Sequence, residues 1–283
     1  MTPAVAAAVL LAAVTHATWN AIAHTIKDQL VAFTLIAGGG TVLGALAACF
    51  APFPAAAAWP YLIASAVLHV GYQSLLMRSF SLGDFGQMYP IARGTAPLLV
   101  TVLAAVFVHE SLDRWQATGV AVASAGLVGV ALWGMRKADS APQWPALLAA
   151  LATGVSIAAY TVVDGVGVRE SGTPLGYIGW LMILQGSLIP LYALHAHRAG
   201  LFARLRPHIG LGLLGATLSV GAYALVLWAQ TRAPLAPIAA LRESSIIVGA
   251  AIGALFFKER FGTPRIAAAG LMVLGIGLML HTS

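Results

Sequence analysis

Ten apolar runs dominate this chain of 283 residues, at 4–23, 31–51, 60–78, 87–108, 115–134, 145–166, 175–195, 209–229, 236–257 and 264–281. Each is close to the 17 to 25 or so residues that cross a bilayer core as a helix. Hydrocarbon offers backbone groups no partner, so only helices and closed barrels span it, and these runs are too long and too evenly apolar for alternating barrel strands. The sequence therefore predicts an all-α integral membrane protein with ten transmembrane helices. Charge agrees: 8% of residues are charged, where soluble domains carry about 25%.

The first run, "AVAAAVLLAAVTHA", has the look of a signal-peptide core, but no Lys or Arg precedes it and further spans follow at once, so it reads as a retained helix. Cys49 is the single cysteine, which excludes an internal disulfide and a Cys-rich metal or redox site. The net charge of +6 is spread over short loops and indicates no nucleic-acid partner.

The segment 89–132 is echoed by 236–280. Both open on Pro-Ile-Ala, carry an Arg in the first turns, leave through Phe-X-X-Glu and continue into a helix rich in small residues. Arg93 and Arg242 are 149 residues apart, as are Glu110 and Glu259 (93 to 242, 110 to 259). A weaker echo relates "ATWNA" (17–21) to "AAYTV" (158–162). Ten helices thus divide into two five-helix repeats, residues 1–139 and 140–283, and an odd number of helices per repeat forces the two into opposite orientations.

The Glu110 and Glu259 helix exits, the Gly/Ala-rich helices after them and the two-halved ten-span plan resemble the EamA-domain members of the drug/metabolite transporter superfamily. "HATWN" (16–20) and "YTVVDG" (160–165) look like a particular bacterial branch of it. The resemblance implies multi-pass insertion in the inner membrane, cytoplasmic termini, and export of small metabolites such as amino acids. It also implies a cavity lined by the third, fourth, eighth and ninth helices, with help from the first and sixth.

Four charged residues lie inside apolar runs: Arg93, Asp164, Arg242 and Glu243. A fourth span beginning after Arg93 would be too short for a bilayer, so its helix starts near Gly86 or Gln87 and carries Arg93 roughly 9–10 Å inward. A charge at mid-bilayer costs roughly 2.5–3.5 kcal/mol on insertion scales, which makes all four functional candidates. Three roles are open to Arg93: snorkelling to the headgroups, binding substrate, or a structural ion pair such as Arg93 with Glu243 or Arg242 with Asp164. Recurrence of the arginine in the second repeat argues against chance snorkelling.

Further polar residues recur at helical spacing: His16, Trp19 and Asn20; His69, Tyr72 and Gln73; Ser156, Tyr160 and Asp164; Ser219 and Tyr223. Together with Tyr89 and the four charges they form the candidate substrate site. The glycines of "GTVLG" (40–44), with Gly126, Gly129, Gly270 and Gly275, read as close-packing positions. "FVHES" invites a catalytic reading that fails, because adjacent His109 and Glu110 diverge on a helix and no HExxH follows. The Glu side chains instead suit capping of neighbouring amides. No phosphate-binding loop, metal-ligand spacing or cofactor motif is present, so the chain reads as neither an enzyme nor an ATP-driven pump.

The expected function is a secondary transporter exporting a small zwitterionic or anionic metabolite by alternating access. Arg93 and Arg242 would hold the anionic group, Tyr89, Trp19, Tyr160 and Tyr223 would pack on the substrate body, and Glu243 or Asp164 would exchange a coupling proton or hold an amine. Alternatives are a proton-coupled exporter of hydrophobic cations and, from another class, a flippase of lipid-linked substrates or a membrane-embedded enzyme. Besides substrate, the partners are membrane lipid and protons.

Orientation has two conflicting indicators. Lys27, Arg78, Arg136, Lys137, Arg198, Arg204, Arg206, Lys258, Arg260 and Arg265 fall on one face, against Arg114, Arg169 and Arg232 on the other. The positive-inside rule then puts both termini outside, opposite to the family expectation. A reporter fused after Ser283 reads periplasmic if the loop charges govern and cytoplasmic if the family pattern does; the amino terminus reports the same side in either case.

Overall fold

The computed structural model describes residues 1–82, 85–137, 144–197, 200–256 and 263–281, and these are helical throughout with short connections and no strand among them. Of these helices, five are long and apolar enough to cross a membrane: Pro3–Ala23, Gln29–Phe50, Leu147–Glu170, Pro174–His197 and Leu201–Gln230. Shorter apolar stretches occupy Thr95–Val108 and Ile266–Leu280.

The chain packs as two units, one formed by Met1–Ala7, Leu68–Val163 and Arg232–Ser283, the other by Ala8–Val67 and Asp164–Thr231. Neither unit is a contiguous sequence half. Three helices contribute to both: α1 (Pro3–Thr25), α3 (Trp59–Leu82) and α6 (Trp144–Glu170).

The first unit contains α4 (Phe85–Leu103), α5 (Arg114–Lys137), α11 (Leu235–Arg242), α12 (Ser245–Phe256) and α13 (Thr263–Leu280). Val100 and Ala104 pack with Ala158, Val162, Leu235, Ala236 and Ala239 in its core. Along α5 and α13 small residues bring two backbones together. A Cβ on Gly119 would lie 2.5 Å from the Gly275 carbonyl oxygen, and one on Gly126 would lie 3.1 Å from that of Ala268. Numbering rises on one helix as it falls on the other, so the pair is antiparallel. The two helices begin 149 residues apart (114 to 263), the offset of the sequence echo. Gly129 and Gly270 depart from the close-packing expectation, since a Cβ on either meets only open space.

The second unit contains α2 (Gln29–Phe50), α7 (Pro174–Gly186), α8 (Leu188–His197), α9 (Leu201–Leu205) and α10 (Ile209–Gln230). Asp28 starts α2 by accepting from the amides of Leu30 and Val31, and Thr173 starts α7 by accepting from that of Gly176, with Pro174 in the first turn. Such caps answer amides that have no partner inside the helix. Leu62, Val168, Tyr177, Leu181 and Leu227 form the core. Gly44 and Gly179 make the tightest crossing of α2 and α7, each 2.7–2.9 Å, at a hypothetical Cβ, from the other's carbonyl oxygen.

Two of the ten expected spans are interrupted. The span 175–195 breaks at Ser187 between α7 and α8, where Pro190 lacks the amide that would bond the Gly186 carbonyl. The span 236–257 breaks at Glu243–Ser244 between α11 and α12, with no proline to cause it. The span 87–108 starts at Phe85 as expected, stays helical through Pro90 and Pro97, and widens into a π turn over Ala104–Val108.

Gly44→Ala is expected to destabilise the protein by about 1–3 kcal/mol through overpacking, because the added methyl lands 2.6 Å from Met182 Cβ. Gly221→Ala, with nothing within 4 Å, is expected to leave stability unchanged or slightly raised. Thermal melting in detergent compares the two.

Candidate functional site

The site in the first unit begins with Glu110. Past the π turn, His109 takes a left-handed conformation (φ 56°), which few residues without a glycine's freedom adopt. It turns the chain so that Glu110 Oε2 accepts from the Leu235 amide at 2.7 Å, an orphan donor at the start of α11 that no side chain at Pro234 caps. This is the amide-capping role expected for the exit glutamates; Glu259 lies outside the described residues. The end of α4 thereby fixes where α11 begins.

All eight residues of α11 are buried, and the helix delivers Arg242, then Glu243 in the turn before α12. The turn keeps its backbone bonded: the amides of Glu243 and Ser244 donate to Ala240 and Leu241, and those of Ile246 and Ile247 donate to Glu243 and Ser244. The interruption therefore leaves the ladder largely intact and redirects side chains.

Arg93 is 2% exposed and Glu243 1%. Arg93 Nε donates to Glu243 Oε2 at 2.6 Å, and its Nη2 reaches Ser245 Oγ at 3.4 Å. This is the ion pair named among the three roles for Arg93, and it joins the first sequence half to the second. Arg242, 5% exposed, is placed differently. Its Nε sits 3.9 Å from Glu243 Oε1, beyond hydrogen-bond range, and among the described residues Arg242 Nε and Nη2, Glu243 Oε1 and Ser244 Oγ are buried with no hydrogen-bond partner. Two guanidinium groups face one carboxylate, so these three side chains carry one net positive charge.

An aromatic cluster borders this group. The Arg242 guanidinium lies 6.0 Å from the Tyr160 ring centroid, within range of a cation–π contact. His69 stacks on the same ring at 4.0 Å, and Tyr72 meets it edge-on at 5.5 Å. His69 and Tyr72 thus share a target, as their spacing suggested. Gln73 is half-buried on the same helix, and the Tyr89 side chain lies outside the described residues.

The other candidates belong to the second unit. On α1, Trp19 Nε1 donates to His16 Nδ1 at 3.3 Å and Asn20 Nδ2 donates to the His16 carbonyl at 2.8 Å, so this stripe bonds within itself. Asp164 is fully buried. Tyr177 donates its hydroxyl to Oδ1 at 2.9 Å and Tyr223 donates to Oδ2. The sequence reading found Asp164 and Tyr223 but not Tyr177; "GYIGW" is apolar around it and offers no polar stripe. The hydroxyl at a buried position was the one available signal.

Removing Arg93 leaves a buried carboxylate without its partner, a loss of about 3–5 kcal/mol. Arg93→Ala is therefore expected to melt well below wild type in detergent, and Arg93→Ala with Glu243→Ala to recover most of the difference.

No curated protein matches the sequence. A solved structure described only as "Crystal structure of protein" superposes with a TM-score of 0.67 at 17% identity, over 98% of this chain and 95% of that one; at that identity the likeness is one of fold. Residues 144–281 match the EamA-like transporter family. That stretch, just under half of the chain, thus resembles a family of membrane transporters, and together with the five helices long and apolar enough to cross a membrane it indicates a multi-pass membrane protein.

Proposed function

We propose that this protein is a secondary transporter of the bacterial inner membrane that exports a small zwitterionic or anionic metabolite, an amino acid or a close relative, by alternating access. One observation carries the reading: buried donors on Arg242 and a buried acceptor on Glu243, side by side and without hydrogen-bond partners among the described residues. Each such group costs about 1–3 kcal/mol while unsatisfied. A substrate carboxylate on Arg242 Nε and Nη2 removes that cost, with Ser244 Oγ as a further donor, and a substrate ammonium fits Glu243 Oε1. Charges 3.9 Å apart suit a molecule whose amine and carboxylate are close together.

Arg93 then neutralises the other oxygen of Glu243 and holds the turn, while Tyr160 and His69 border the subsite. A hydrophobic cation fits less well, because it brings another positive charge beside Arg242 and no anionic group for the unsatisfied Arg242 donors. The two inverted repeats of five spans draw support from α5 and α13, repeat partners that pack antiparallel. Interrupted helices at a binding site are a recurrent device of secondary transporters, and α11–α12 has that form.

Uptake into vesicles of a panel of amino acids and organic anions tests the proposal. Arg242→Ala and Arg242→Lys are expected to lose at least about tenfold in transport, the effect of one charged hydrogen bond, without the stability loss of Arg93→Ala. Lysine fails because a compact ammonium cannot replace a planar fork. Wild-type transport by Arg242→Ala would remove the subsite from the mechanism.

A further inference from the structure

The α1–α2 turn and the α8–α10 connection meet at one end of the second unit. Asp28 Oδ2 lies 3.5 Å from Arg204 Nη1, and Leu205 packs on the cluster of Ala23, Ile26 and Val31. The apolar helices Pro3–Ala23, Gln29–Phe50, Pro174–His197 and Leu201–Gln230 each have an end here, so in a bilayer this end stands at headgroup depth. We propose that it is a binding site for an acidic phospholipid, with Lys27 and Arg206 on the headgroup phosphate and Phe202 among the acyl chains. The site needs only that these helices sit in a bilayer, so it stands apart from the transport reading.

Charge here is one-sided. Asp28 is the one acidic residue of 24–30 and 195–209, and it is already engaged: Oδ1 accepts from the amides of Leu30 and Val31, and Oδ2 from Arg204. The exposed side chains of Lys27 and Arg206 have no hydrogen bond or ion pair among the described residues; Arg198, in the same connection, lies outside them. Two surplus cations favour a phosphate that brings no cation of its own, and each Lys or Arg near an anionic lipid surface strengthens association about fivefold. A choline or ethanolamine headgroup would set an ammonium against them, whereas a glycerol headgroup adds none.

The short helix α9 supplies the apolar half and separates a lipid from a free phosphate. Leu201 and Leu205, four residues apart, face the protein, one buried and the other packed on the Ile26 cluster. Phe202 and Arg206 are also four apart, and Arg206 keeps helical angles (φ −48°, ψ −48°), so these two share another face. Phe202 is 68% exposed there. A free anion would engage Arg206 and leave the ring in water; a phospholipid brings phosphate and acyl chain in one molecule, which suits a basic and apolar surface at the membrane interface.

The test is native mass spectrometry of the full chain in neutral detergent, titrated with phosphatidylglycerol and, in parallel, with phosphatidylcholine of the same acyl chains. The first phosphatidylglycerol is expected to bind at least about tenfold tighter than the first phosphatidylcholine. Lys27→Gln with Arg206→Gln is expected to remove that preference and Lys27→Arg with Arg206→Lys to keep it. Each single neutral variant is expected to lose about fivefold, which keeps the test readable if the double variant folds poorly. Arg114→Gln, an exposed basic residue of the first unit, is expected to change nothing, and Phe202→Ser, with every charge in place, to weaken binding several-fold. Equal binding of the two lipids, a preference that survives the double neutral variant, or one lost as readily in Arg114→Gln overturns the proposal. So does full-strength binding by Phe202→Ser, or displacement by inorganic phosphate but not by chloride of equal ionic strength, either of which assigns the two cations to a free anion.

Discussion

Every backbone amide and carbonyl inside a membrane must find its partner within the protein, and this constraint orders the rest of the molecule. It explains why an interruption at Glu243–Ser244 can exist at all. The amides of Glu243, Ser244, Ile246, Ile247 and Val248 go to carbonyls three or four residues back, so the backbone stays largely bonded where the side chains change direction. The start of α11 meets the same demand from outside, through the carboxylate of Glu110. Two acidic side chains thus do different work in one unit: Glu110 completes a helix end, and Glu243 completes an ion pair.

Burial raises the stakes of each polar contact. In water the Arg204–Asp28 pair, 3.5 Å apart and exposed, contributes at most about 1 kcal/mol. Arg93 and Glu243 have no such solvent to fall back on, and each is tolerable in the interior because the other is there. Arg242 has the same burial without the same satisfaction, and that contrast is what the proposed substrate role of Arg242 rests on.

The sequence made the helices legible because hydropathy over twenty residues reports the solvent directly. It was less informative about where helices stop inside that solvent. Pro190 was a visible reason for the break at Ser187, yet Pro90 and Pro97 lie in a helix that continues, so proline alone does not decide. The break after Arg242 has no residue of strong intrinsic bias; it depends on tertiary partners for Glu243 and Ser245 that lie about 150 positions away in sequence. Spacing did bring His69 and Tyr72 to one face, but their target, Tyr160, required the fold. Tyr177 stayed hidden for the same reason, because a single hydroxyl in an apolar run carries no period.

The 149-residue offset makes Arg93 and Arg242 equivalent, but their neighbours are not. Gly94 stands where the second copy has Glu243, Thr95 and Ala96 stand where it has Ser244 and Ser245, and Pro97 stands where it has Ile246. The later segment therefore supplies a carboxylate that the earlier one lacks, and that carboxylate turns to Arg93 at 2.6 Å rather than to its own neighbour Arg242 at 3.9 Å. Adjacent residues point about 100° apart on a helix, which makes Glu243 a poor partner for Arg242 and leaves it free to reach α4. One substitution relative to the repeat thus neutralises one arginine and leaves the other with unbonded donors. Two arginines at one offset thus end in different surroundings, one paired and one with donors left over.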